Sequence, residues 1–161
     1  MAVGSASWSF TEDDFAAITQ MLQRFLYDSN ARCALLVDRT GQLVATVGEQ
    51  PTFDPTAFAT LTAADFSAND QLARLVGEKD FSSLVHQGEN ESMVLADISR
   101  RVILVALFDK RTTLGLVRLK IKDTVVELTS LFDVMFARSA SAAQQPSVLA
   151  GADDEIDKLF E

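Results

Sequence analysis

Apolar residues recur at two different spacings along the chain, and the change from one to the other predicts the order of helices and strands. Steps of three and four residues are typical of a helix with one buried side, whereas short apolar runs between turn residues are typical of strands. The patterns predict helix, two strands, helix, three strands, helix and a tail. This order indicates an α/β domain in which a sheet is flanked by helices.

The first helix is predicted to begin after Thr11, whose hydroxyl can accept a hydrogen bond from the backbone N–H of Asp14, and to end near residues 28–30. Its predicted buried residues are Phe15, Ile18, Leu22, Phe25 and Leu26. A hairpin of Cys33–Val37 and Gln42–Val47 follows, with turn residues at 38–41. Both sides of its first strand are apolar, which predicts that helices cover both faces there.

The second helix is predicted to begin at Asp54-Pro55, to run to about Leu75 and to be closed by Gly77. Its predicted inward residues are Phe58, Leu61, Ala68, Leu72 and Leu75. A short edge strand is expected around residues 84–86. The runs Met93–Ile98 and Val102–Phe108 are predicted strands, and the second is apolar throughout, which places it in the middle of the sheet.

The last helix has the longest regular pattern, with apolar residues at steps of three or four over six turns. These residues are Leu114, Val117, Ile121, Val125, Leu128, Phe132 and Met135. We therefore expect a domain over 11–138, a disordered N-terminus over 1–10, and a flexible linker with an acidic tail over 139–161.

Composition and charge narrow the possible functions. The 161 residues are enough for one domain, and a net charge of −9 disfavours binding to nucleic acid or to anionic membranes. Residues 1–9 lack the basic start and apolar run of a secretory signal, and the longest apolar run, Val102–Phe108, is too short to span a membrane. With a single cysteine, Cys33, the chain is expected to be cytoplasmic.

No pattern for catalysis or cofactor binding is found. The one histidine, His86, is expected to be exposed on an edge strand, and Cys33 to be a buried, unreactive thiol. One cysteine and one histidine cannot form a common zinc site, and neither a phosphate-binding loop nor a dinucleotide glycine motif is present. We therefore expect no catalytic residue, no cofactor and no bound metal, so that the chain acts by binding.

Seven of the 14 cationic residues fall between positions 100 and 122. They are Arg100, Arg101, Lys110, Arg111, Arg118, Lys120 and Lys122. Ordinary solvated loops and an exposed helix side account for such a cluster. The alternative is one basic surface that binds an acidic partner, such as the acidic tail of another copy.

Several motifs resemble those of the Roadblock/dynein light chain family, and within it those of the bacterial MglB proteins. The similarity covers residues 11–138 and the tail. The motifs are Leu36-Val37-Asp38-Arg39-Thr40-Gly41-Gln42-Leu43, Leu61-Thr62-Ala63, Leu72-Ala73-Arg74-Leu75-Val76-Gly77-Glu78, the block from Phe108 to Leu119, and Asp154-Glu155-Ile156-Asp157-Lys158-Leu159-Phe160.

The resemblance implies an α+β sandwich with a five-stranded, mainly antiparallel sheet in the order α-β-β-α-β-β-β-α, assembled as a homodimer. It implies that two protomers bind one Ras-like GTPase of the MglA type in its GTP form. They stimulate GTP hydrolysis by positioning the residues of the GTPase, in cell polarity and motility, with concentration at a cell pole and polar localisation proteins as further partners. The surface that would contact the GTPase maps to Ala64, Ser67, Ala68 and Gln71 in the second helix.

Two alternative functions remain. One is suggested by residues that depart from the family pattern, and the other by sensor domains that share a sheet flanked by helices. Asn69, Asp70 and Gln71 stand where relatives tend to have glycine or alanine, and larger polar groups would hold a partner further off. This favours a scaffold of the same fold that binds another Roadblock protein or a polar factor without changing GTP turnover. The second alternative is a ligand-sensing domain, which the small number of convergent polar groups in the predicted core disfavours.

The tail has its own predicted role. Ile156, Leu159 and Phe160 fall on one side of a helix, which is typical of a segment that docks into a groove. Terminal segments often have no such role, so the alternative is an unused end.

Overall fold

The computed structural model describes residues 10–144, with side chains up to residue 141. Residues 1–9 and 145–161, and with them most of the predicted disordered N-terminus and the whole acidic tail, lie outside the described residues. The elements are α1 (Glu12–Ser29), β1 (Cys33–Asp38), β2 (Leu43–Gly48), α2 (Pro55–Leu75), β3 (Ser83–Gln87), β4 (Ser92–Ile98), β5 (Val102–Phe108) and α3 (Leu114–Gln144). The predicted order and the five-stranded sheet are confirmed.

The five strands form one antiparallel sheet in the order β2-β1-β5-β4-β3. The apolar strand β5 lies in the middle, and β3 is an edge strand, as the sequence predicts. Every residue of β1 is buried. Since neighbouring side chains of a strand point to opposite faces, both faces of the sheet are covered at this point.

Two cores lie on the two faces of the sheet. On one face, α1 and α3 pack through Leu22, Phe25 and Phe132 against inward residues of the strands. On the other face, α2 packs alone, through Ala59 and Phe66. Because α2 has a whole face of the sheet to itself, its outer side has no neighbour in the described chain.

The start of α1 is fixed by the predicted cap. The Thr11 hydroxyl accepts from the N–H of Asp14, and the Asp14 carboxylate accepts from the N–H of Thr11, 2.9 Å away. Asp14 also binds Arg138 of α3, whose Nη2 lies 2.7 and 2.6 Å from the two carboxylate oxygens. Burial opposes ionisation of Asp14, but these hydrogen bonds outweigh it and hold the pKa of the carboxyl below its ordinary value.

Two details of the flanking helices differ from the prediction. Phe15 is 49% exposed and does not belong to the buried side of α1, because Asp14, bound to Thr11 and Arg138, occupies that side of the first turn. The helix α3 continues to Gln144. It therefore includes residues 139–144, which the sequence assigns to the linker.

Candidate functional site: the outer face of helix α2

The inner side of α2 is built from small and polar residues around one large ring. Its buried residues are Ala59, Thr62, Ala63, Phe66, Asn69 and Ala73. Alanines let a helix lie close to a sheet, and Phe66 fills the remaining space against strand residues such as Leu35 and Val105. The face with the largest aliphatic residues therefore points away from the core.

The predicted inward side of α2 is wrong for this reason. Leu61, Leu72 and Leu75 are 70%, 57% and 82% exposed, and Ala68 is exposed as well. Only Phe58 is partly buried against the core. The helix has two apolar sides, and the prediction chose the bulkier one, whereas close contact with the sheet selects the side with small residues.

The predicted contact residues Ala64, Ser67, Ala68 and Gln71 are all exposed and lie together on the outer face of α2. Their steps of three and four residues put them on one side of the helix. Small side chains over most of this surface leave the backbone open to close approach by a partner. We define the outer face of α2 as these four residues together with Leu61, Leu72 and Leu75.

Asp70 and Asn69 are not part of this face. Asn69 is buried against the sheet, and Asp70 points to Arg39, whose Nη1 lies 2.6 Å from its carboxylate. Of the three larger polar residues that depart from the family pattern, only Gln71 is on the outer face. The sequence alone could not show this, because the partner of Asp70 lies 31 positions away.

Arg39 connects three parts of the domain. Its guanidinium binds Asp70 of α2 and Asp97 of β4, and it lies 4.7 Å above the centre of the Phe66 ring. Burial opposes the charge on Arg39, but the two aspartates outweigh this effect and raise its pKa. This cluster ties α2 to β4 and to the turn after β1, and it holds Asp70 away from the outer face.

An unpaired strand edge lies beside α2. In the described chain β3 pairs only with β4, so its other edge carries backbone groups without a strand partner. His86 of β3 binds Asp65 of α2 at 2.6 Å, which places that side of α2 next to the free edge. His86 is largely exposed, as predicted, and Cys33 is buried with its pKa raised by burial.

The seven cationic residues of positions 100–122 do not all lie on one surface, which agrees with the favoured interpretation of ordinary solvated loops and an exposed helix side. Arg111 binds Glu49 and Asp109 beyond the end of β5, while Arg101 lies over the ring of Phe136. Arg100 binds Asp80 near the start of β3. The strand β5 separates the two ends of the stretch, and α3 turns its cations to different sides.

The remaining predictions concern the acidic tail, metal binding and membrane-spanning helices. Ile156, Leu159 and Phe160 lie outside the described residues. Within residues 10–144 no cluster of three candidate metal ligands occurs. None of the described helices has the length and apolarity needed to cross a membrane.

The comparisons with known proteins agree with this architecture. The model of the Roadblock/LC7 domain matches residues 17–108. The structure of MglB from Myxococcus xanthus is 41% identical, with 74% of this chain and 98% of that chain covered and a TM-score of 0.72. Comparison with curated proteins gives no significant match.

Two further solved structures are similar over most of their length. The gliding protein MglB from Thermus thermophilus is 30% identical, with 79% of this chain and 96% of that chain covered and a TM-score of 0.73. A structure described as MglB with a tetrameric arrangement gives the same values. By the extent of the domain match and by these identities, the chain belongs to the Roadblock/LC7 family, with MglB proteins as its structural neighbours.

Proposed function

We propose that this protein is a homodimeric regulator that binds the GTP form of a Ras-like, MglA-type GTPase and stimulates its GTP hydrolysis. The observation that carries the proposal is the outer face of α2, which combines small contact residues with exposed leucines in a chain 41% identical to an MglB. The protein would supply no reacting group, and the GTPase would be held in its active arrangement by contact alone.

The exposed leucines support the dimer. Leu61, Ala64, Ala68, Leu72 and Leu75 follow one another at steps of three and four residues, which is the pattern of a helix that packs against another helix. Burying a leucine that is exposed in the monomer contributes roughly 1.5–3 kcal/mol. A twofold interface is self-complementary, so a second copy would bring its own α2 and its own free β3 edge. Its α2 would cover the exposed leucines, and its β3 would pair with the free strand edge.

The same helix supports GTPase contact beside the dimer interface. Ser67 and Gln71 are exposed on the outer face and are turned away from the side where Asp65 meets His86. Two α2 helices side by side would therefore present a pair of such surfaces to one partner. Asp70 does not oppose this contact, because Arg39 holds it away from the outer face.

The test is GTP hydrolysis over many turnovers by the cognate Ras-like GTPase, with and without this protein in excess. We expect acceleration by the unchanged protein and its loss with Ser67→Arg, because a long charged side chain would prevent close approach to α2. Ser130→Arg makes the same change at an exposed site on α3 and should keep the acceleration. Absence of acceleration by the unchanged dimer would overturn the proposal.

The scaffold alternative has one remaining observation in its favour, namely Gln71, which is larger than the glycine or alanine expected there and does lie on the outer face. A scaffold would bind another Roadblock protein or a polar factor and leave GTP turnover unchanged. Size-exclusion chromatography with a non-hydrolysable GTP analogue separates the two functions, because only the regulator is expected to co-elute with the GTPase in a nucleotide-dependent way.

A further inference from the structure

A groove of about 750 Å³ lies at the side of the domain where β3 begins. It is lined by α2, by the segment 79–83 that leads into β3, by β4 and by α3. Its lining includes the apolar residues Phe66, Val94 and Ile121, which are buried, and Val126, which is 67% exposed. The groove therefore offers apolar contact at its base and on one rim.

The charges around the groove are unbalanced. Six cationic and three acidic side chains line it, on a chain whose net charge is −9. The acidic ones are already bound, Asp70 and Asp97 by Arg39 and Asp80 by Arg100. Of the six cations that line the groove, four are exposed and have no ion-pair partner among the described residues: Arg74, Lys79, Arg118 and Lys122.

The four unpaired cations and the apolar base of the groove indicate which kind of ligand it can bind. A ligand that fits must carry several negative charges together with apolar groups spaced to reach the base of the groove. Segment 153–161 of this chain has five acidic residues and one basic residue, and Ile156, Leu159 and Phe160 at steps of three and one. A helix with this spacing would place the three apolar side chains on one side and most of the carboxylates around it.

We propose that this groove binds the acidic segment 153–161 of a second copy of this chain. The helix α3 ends at Gln144, 18 residues after Val126, so that its end is about 27 Å from the nearest part of the groove that α3 lines. Residues 145–152 could span about 30 Å only when fully extended. A coil of that length has a typical end-to-end distance of about 16 Å.

The distances therefore favour binding between copies over binding within one chain. Binding within the chain would require residues 145–152 to lose nearly all of their conformational freedom, which opposes it. A tail from another copy approaches without this restriction. The consequence is a contact between copies that is separate from the outer face of α2 and that depends on charge.

Photo-crosslinking of the full-length protein tests the proposal. Phe160→p-benzoylphenylalanine is introduced into a chain of natural isotope content, which is mixed with a tenfold excess of ¹⁵N-labelled chain without the probe. Subunit exchange is verified by native mass spectrometry before irradiation. We expect crosslinks from the probe to residues 79–83 or 118–126 of the labelled chain.

Two other results would each overturn the proposal. Crosslinks confined to the unlabelled chain would mean that the tail folds back onto its own groove, and crosslinks to other surfaces would mean that the groove is not its binding site. No GTPase is present in this experiment. A negative crosslinking result therefore says nothing against the proposed stimulation of GTP hydrolysis. Likewise, a negative hydrolysis assay says nothing against binding of the tail in the groove.

A matched pair of variants of the labelled chain tests the role of charge. Lys122→Glu is expected to reduce the crosslink yield roughly fivefold, since it replaces an attraction with a repulsion at an exposed site. Lys120→Glu makes the same change two residues away, on the side of α3 that meets Arg24 and Asp28, and should leave the yield within about a factor of two. An equal loss in both variants would mean a general effect of net charge and would contradict binding in the groove.

Discussion

Single residues determine which side chains of α2 are free to meet a partner, and Arg39 is the clearest case, because it holds Asp70 away from the outer face. Its side chain is only 24% exposed, and it binds two aspartates from different elements. Its sequence neighbourhood is an ordinary turn motif, so nothing local indicates these contacts. Asp70 departs from the family pattern because it binds Arg39, which is distant in sequence. It does not change the surface that a partner would meet.

Removing Arg39 should destabilise the domain. Arg39→Ala leaves Asp70 and Asp97 partly buried without a positive partner, and we expect the free energy of unfolding to fall by about 2–3 kcal/mol. Arg24→Ala, which removes an exposed ion pair with Glu127, is the control and should cost less than about 1 kcal/mol. Urea unfolding monitored by circular dichroism measures both, and equal losses would contradict the structural role of Arg39.

Asp14 links stability to pH. Because its pKa in the folded chain lies below the ordinary value of 3.8, its carboxylate stabilises the fold above pH 3.8, and this contribution is lost as the pH falls through the folded pKa. Asp14→Asn should lower the free energy of unfolding by about 1 kcal/mol at pH 7, through loss of the cap and of the Arg138 contact. The difference from the unchanged protein should shrink below about pH 4.

Thermal unfolding at pH 7, 5 and 3 measures this difference. Asp13→Asn, at an exposed neighbouring position in the same turn, should change the free energy of unfolding by less than about 0.5 kcal/mol at pH 7. A constant difference between Asp14→Asn and the unchanged protein down to pH 3 would mean that the Asp14 carboxylate is not the source of the stability.

At the scale of elements, the sequence patterns predict the helices and strands well and the rotation of α2 poorly. The cap at Thr11, the proline at position 55 and Gly77 each fix an end by local chemistry, and local chemistry is what a sequence shows. The rotation of α2 depends on how closely it approaches the sheet, which is a property of the packed domain. The sequence of α2 has two apolar sides, one with small residues and one with leucines. This pattern could have indicated that the small side packs on the sheet and that the leucines are exposed.

The exposed leucines give a prediction for self-association. Leu72→Asp places a charge in the outer face of α2 and should weaken the dimer at least about tenfold without unfolding the monomer, since Leu72 is already 57% exposed there. Val134→Asp, at a similarly exposed apolar site on α3, should leave the dimer intact. Sedimentation equilibrium measures the association, and circular dichroism verifies the fold. A dimer that tolerates Leu72→Asp would contradict pairing through α2.

At the scale of the whole molecule, the order of the elements and the central place of β5 were predictable, because a strand apolar on both sides must be covered on both sides. The contacts between side chains from distant sequence positions could not be predicted. The cations of residues 100–122 are neighbours in sequence, yet Arg100 lies at the groove with Arg74 and Lys79, while Arg111 lies beyond the other end of β5. The shared exposed face of the four candidate contact residues was predictable because one helix carries all four, while their contact with a GTPase stays a prediction.

The proposed twofold dimer leads to the last prediction, which concerns the number of protomers that one GTPase needs. A single GTPase that contacts two α2 helices needs both copies intact, so a mixed dimer with Ser67→Arg in one protomer should lose nearly all acceleration of GTP hydrolysis. Mixed dimers are isolated with two different affinity tags, and a mixed dimer with Ser130→Arg in one protomer is the control. If each protomer instead served its own GTPase, the mixed Ser67→Arg dimer would retain about half of the acceleration. The hydrolysis rate at equal dimer concentration therefore distinguishes one shared partner from two independent ones.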